Sequence, residues 1–113
     1  MTTSQERTRF AIDDLARLTQ SALAEVVRAA ATGDRTAARH VLDGAAERRG
    51  AVLRARMAVQ EECREGWGTR QLPRLAGEMD LVAELGRLDA QVDRLARQLS
   101  AGRDVVPGLR PAS

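Results

Sequence analysis

The chain has 113 residues, 43% of them apolar and 30% charged, with 18 basic against 16 acidic side chains and a net charge of +2. That size and balance fit one soluble folded domain, exclude wholesale disorder, and argue against the strongly basic surface that nucleic acid selects. Cys63 is the only cysteine, so an internal disulfide is excluded. The polar opening Met1 to Glu6 and the lack of any run near ~18 apolar residues predict a cytoplasmic protein without a membrane span.

The apolar material is alanine, leucine and valine; tyrosine is missing, and Phe10 and Trp67 are the only aromatics. Sheets draw on β-branched and aromatic residues, whereas Ala, Leu, Arg and Glu are strong helix formers, so composition predicts an all-α fold. Every basic residue is arginine. A GC-rich coding bias is the simpler reading, and the sharper one, a nucleic-acid or phosphate surface, is opposed by the interleaved acids.

The first helix is predicted over about 4–32, with Ser4 as candidate N-cap and Glu6 in the first turn. Ile12, Leu15, Thr19, Leu23, Val26, Val27 and Ala30 fall at helical spacing on one stripe, and Asp13 and Arg17, four apart, form an exposed pair. Gly33 follows where a left-handed C-cap glycine belongs. Asp34 or Thr36 caps a second helix over about 34–65, whose buried positions are Ala38, Val41, Leu42, Ala45, Val52, Leu53, Met57, Val59 and Cys63. They spread wider than one stripe, as on a helix with neighbours on two sides. Gly44 and Gly50 each cost about 1 kcal/mol relative to alanine in a helix interior, which predicts close packing or a slight bend there.

Gly66-Trp67-Gly68-Thr69 breaks the pattern, and Pro73 opens a third helix over about 72–100. Trp67 reads equally as an exposed binding anchor and as a plug for the end of the fold. In the third helix Leu81, Leu85, Leu88, Val92, Leu95 and Leu99 recur at alternating steps of four and three, the spacing of a bundle or coiled-coil seam. Residues 102–113, with Pro107, Gly108 and Pro111, read as a flexible tail.

Three helices of about thirty residues joined by short turns predict an antiparallel up-down-up three-helix bundle over 1–101, each helix ~40 Å long. So slender a bundle covers little of its own apolar surface, which predicts self-association, with a homodimer as the simplest form.

Candidate chemistry is sparse. His40 and Asp43, three apart, offer one edge of a metal site, but the chain has no second histidine, and a surface pair is the simpler reading. Cys63 follows Glu61 and Glu62, whose charges disfavour a thiolate, so it reads as a small buried or half-buried residue. Asp80 and Glu84, then Asp89 and Asp93, are carboxylate pairs at i, i+4 able to share a hard cation or iron. The alternative is a solvated face on which Glu84 reaches Arg87 and Asp93 reaches Arg97. Ile12-Asp13-Asp14-Leu15 superficially resembles the first helix of chorismate mutases, but those enzymes as a rule use a lysine that this chain lacks. Nothing here predicts an enzyme.

Taken together, Leu15, Leu18 and Val26, the Gly33-Asp34 turn, the run Ala37 to Asp43, Glu62-Cys63, Gln71 ahead of Pro73, and Leu85-Gly86-Arg87-Leu88 with Val92 and Leu95-Ala96 resemble one three-helix repeat of the PhoU family of phosphate-uptake regulators. The resemblance spans roughly residues 9–97. It implies a non-enzymatic regulator that contacts a transporter ATPase or a sensor kinase, and a single repeat implies pairing with a second copy. The family's metal motif falls on Gly86 and Ala90 in the best register; Asp89 and Asp93 take those places only when the register is shifted. Two other readings stand beside it, a carboxylate metal-binding bundle and a nucleic-acid-associated helical protein. Poverty of stacking aromatics and the absence of helix-turn-helix spacing make nucleic acid the poorer of the two.

Overall fold

A computed structural model describes residues 3–65 and 71–102, all of it helix and turn with no strand among the described residues. The helices are α1 (Ser4–Thr32), α2 (Arg35–Asp43), α3 (Ala45–Arg64) and α4 (Leu72–Ser100). Trp67 and most of the 102–113 tail lie outside the described residues. None of the described helices is long and apolar enough to cross a membrane.

Helix α1 starts one residue earlier in its capping than its sequence suggests. Thr3, not Ser4, is the N-cap: its hydroxyl accepts the Glu6 N–H at 3.1 Å while the Thr3 N–H donates to the Glu6 carboxylate at 3.3 Å, a reciprocal capping box. Ser4 is instead buried, with its hydroxyl on Glu65, the C-cap residue of α3. Gly33 closes α1 with φ at 72°, a left-handed conformation that favours glycine, and its N–H returns to the Ala29 carbonyl at 2.8 Å. Asp34 at once caps α2 by accepting from the N–H groups of Thr36 and Ala37. Arg17 pairs with Asp14 at 2.6 Å, three residues away, in place of Asp13.

The rod expected over 34–65 is divided at Gly44. The Gly44 N–H is shared between the His40 and Val41 carbonyls at 3.3 and 3.2 Å, and the Arg48 N–H bonds the Gly44 carbonyl at 3.1 Å. Gly44 also keeps clear a space that a side chain would need: a Cβ there would stand 3.1 Å from Nη1 of Arg48.

Two clusters form the interior. Near one end Ile12 and Leu15 of α1 meet Ala51, Ala55 and Val59 of α3 and Leu75 and Val82 of α4. Near the other, Ala22 and Val26 of α1 meet Val41 of α2 and Val92 and Ala96 of α4. Among the described residues, seven of the fifteen buried apolar ones are alanine, and of the leucines only Leu15 and Leu75 are fully interior. Small residues let the helices approach closely, so the core is thin, and the molecule measures 60 × 24 × 15 Å with a radius of gyration of 17.1 Å. A compact domain near this size has a radius of about 13 Å. The elongation leaves much apolar side chain at the surface. Leu53 and Met57, read from sequence as buried, are more than half exposed, and Cys63 is exposed as well. Leu53 and Met57 lie on the side of α3 turned away from Arg48, Ala55, Val59 and Glu62, and Cys63 lies at the flank of that buried line, near the end of the helix.

Candidate interaction site

The leucine seam of α4 does not sit on a single level of the fold. Val92 is fully buried, Leu85 packs partly buried against the first cluster, and Leu95 and Leu99 against the second. Leu88 is half-buried, and Leu81 is 46% exposed. The interior line of α4 is instead Leu75, Val82, Asp89 and Ala96, each seven residues from the last. Seven residues are nearly two turns, so these four share one side of the helix, and the leucines at 81, 88 and 95 form a parallel line rotated toward solvent.

An aspartate on that interior line requires a partner, and Arg48 supplies it. Its Nε donates to Asp89 at 2.6 Å, its Nη2 donates to Asp93, and its Nη1 donates at 2.9 Å to the Val41 carbonyl beside the break at Gly44. The three side chains are all under a tenth exposed. One guanidinium thus ties the end of α2, the start of α3 and the middle of α4. Arginine suits this role because its planar fork offers five fixed donors and stays charged under burial. Burial pushes the Asp89 carboxyl above the ordinary carboxylate range; the Arg48 hydrogen bond and charge oppose the shift, and the neighbouring Asp93 adds to it.

The four candidate ligands of α4, Asp80, Glu84, Asp89 and Asp93, therefore separate. Asp89 and Asp93 come together around Arg48, not around a shared cation site open to solvent. Asp93 is held by Arg48 and not by Arg97. Asp80 and Glu84 are exposed, and Glu84 pairs with Arg87. No group of three or more His, Cys, Asp or Glu side chains among the described residues is placed to hold a metal ion. His40 bonds Glu25 of α1 at 2.7 Å across an exposed edge, with Asp43 nearby.

Arg48 is the residue that sequence reading missed. It is one of 18 arginines, and its partners lie 41 and 45 residues downstream. A signal was present nonetheless: Arg48, Ala55 and Glu62 are spaced by seven on α3, as are Val82, Asp89 and Ala96 on α4, so charges occupy core positions of both helices. Glu62, wholly buried, finds Arg74 at the start of α4, which also bonds Glu78 at 2.7 Å.

On the outer side of the Arg48 cluster, α3 and α4 diverge into an open groove of about 600 Å³. Arg49 and Arg56 edge it on α3, Arg87 and Arg97 on α4. No family model, curated protein or solved structure matches the chain.

Proposed function

We propose that this protein is a non-enzymatic helical regulatory or adaptor protein that acts by protein–protein contact, an up-down-up three-helix bundle that pairs with a second copy of itself. The observation that carries this reading is the outward line of the α4 seam. Leu81 is 46% exposed and Leu88 is incompletely buried, on a molecule 15 Å across its thinnest dimension. Leucines seven apart on the open side of a helix present the surface that a second helix packs against. The resemblance of residues 9–97 to a PhoU repeat supports the same conclusion and adds its context, a cytoplasmic role in phosphate-transport signalling with a transporter ATPase or a sensor kinase as partner. The carboxylate metal-binding alternative loses its two inner ligands to Arg48.

The test is the mass in solution by sedimentation equilibrium, for the native chain and for Leu81→Glu/Leu88→Glu. Val92 is left alone because it is wholly interior and its loss would unfold the protein. The native chain should sediment as a dimer and the variant as a folded monomer with unchanged helix content. A monomeric native chain, or a variant that remains dimeric, refutes the seam as the contact.

A further inference from the structure

We infer that the groove between α3 and α4 is a docking site for an acidic amphipathic helix of a protein partner, a second contact distinct from the leucine seam. This rests on the adaptor reading and names the chemistry of what the adaptor holds.

Charge is the first ground. The chain as a whole is near neutral at +2, yet the exposed charges along this groove are all arginine. The two carboxylates that reach it, Asp89 and Asp93, are buried and already bonded to Arg48. Among the described residues, Arg49, Arg56 and Arg97 have no ion-pair or hydrogen-bond partner for their side chains, although the Arg49 charge also acts on the buried Asp89, and Arg87 has only the exposed Glu84. Unpaired guanidinium groups on both edges of one cleft form a complementary field for carboxylates on both flanks of a ligand.

The floor is the second ground. Between the arginines the groove is apolar, lined by Val52, Val82, Ala83, Gly86 and Ala90; Leu53, outside that lining, adds exposed apolar surface on α3 three and four residues from Arg56 and Arg49. A free phosphate or sulfate would gain nothing from such a floor. The arginines are also spread along it: Arg49 to Arg56 spans ~10 Å of helix and Arg87 to Arg97 ~15 Å. That dispersion fits a rod laid lengthwise better than a compact anion at one point. Nucleic acid would call for stacking faces, and the only aromatic among the described residues, Phe10, stands on α1 outside this groove. A helix with an apolar stripe and flanking glutamates satisfies floor and rim together.

Gly86 agrees with this. Glycine in a helix interior is unfavourable, yet the fold makes no steric demand for it, since an added Cβ would meet only Val52 Cγ1 at an ordinary 3.6 Å. Its bare backbone instead opens the middle of the floor to whatever lies in the groove.

The test uses the full chain and a fluorescein-labelled synthetic helix with leucines at i, i+4, i+7 and i+11 flanked by glutamates. Its companions are a peptide with every glutamate replaced by glutamine and one with lysine at those places. Anisotropy should show saturable binding of the glutamate peptide alone, weakened severalfold by salt as screening shortens. Arg49→Glu/Arg56→Glu should lower its affinity about tenfold or more and create affinity for the lysine peptide, a gain that a misfolded protein cannot show. Ala90→Phe, which fills the floor without touching charge, should also lower affinity. Absence of binding, equal binding of the glutamine peptide, or indifference to both variants overturns the inference. So does tighter binding of inorganic tripolyphosphate or of a short single-stranded oligonucleotide at the same arginines. Sedimentation of the groove variants keeps the two readings apart: peptide binding lost with the dimer intact isolates the groove, and a monomeric native chain that still binds peptide refutes only the seam.

Discussion

Two clusters in this molecule share one composition, an arginine with two carboxylates, and differ in how they are enclosed. At one, Arg48 of α3 is buried with Asp89 and Asp93 of α4, and three of its nitrogens have partners. At the other, Arg74 of α4 is 28% exposed while Glu62 of α3 is wholly buried, and one oxygen each of Glu62 and Glu78 lies buried without a partner among the described residues. The first encloses the cation and surrounds it with acceptors. The second encloses an acid and leaves its cation near water. A fully bonded buried network fixes the relation of its helices, whereas a partly bonded one keeps part of its desolvation cost.

Arg48→Met should have the largest effect. It strands two buried carboxylates and the Val41 carbonyl at the α2 end, and should cost about 3–5 kcal/mol in urea unfolding, much of the stability of a domain this size. Arg74→Met should cost less, about 2–3 kcal/mol, since water reaches its site and Glu78 is itself partly solvated. A larger loss at Arg74 than at Arg48 would reverse the ranking and show that the exposed cluster carries the fold.

The smallest effect is on pH dependence. Because burial raises the Asp89 pKa, the folded protein holds a proton at that site over a range where the unfolded chain has released it. The unfolded state then binds fewer protons, so this site makes stability fall as pH rises from the ordinary carboxylate range up to the raised value, and restores it as pH falls again. Asp89→Asn keeps an acceptor for Nε of Arg48 and removes the titration. The difference between native and variant unfolding curves should slope in that window and flatten below it, with a cost at neutral pH well short of that of Arg48→Met. A difference that does not slope there would mean that Arg48 fully offsets the burial of Asp89.

Much of the fold was legible in residues whose roles are local. Gly33 and Asp34 end one helix and begin the next within two residues, Pro73 stands in the first turn of α4, and the apolar stripe of α1 packs inward through Ile12, Leu15 and Val26. Capping and periodicity act over one or two turns, so they can be read without knowing what lies across the interior. The burial of α3 and the pairing of acids on α4 were not legible in this way. Leu53 and Met57 look like core residues by hydropathy, and Asp89 and Asp93 look like a solvated pair by spacing. Each is placed by which side of its helix faces a neighbour, and a hydropathy pattern interrupted by Arg48, Glu62 and Asp89 conceals that side.

The sequence by itself determined that the chain is helical, the outer bounds of its helical segments though not the division at Gly44, and that its leucines on α4 are spaced for packing. Local propensity, caps and periodicity are sufficient for that, because each depends on residues within a few positions of one another. Only the tertiary structure decided that the leucine line is divided between interior and surface, and that two of four candidate carboxylates belong to a buried arginine. It also decided that a chain of nearly balanced charge gathers four arginines along one groove, three of them without an ion-pair partner among the described residues. Those outcomes depend on contacts across more than forty residues of sequence, and on the desolvation that makes a charge at a core position tolerable only when its partner is already there.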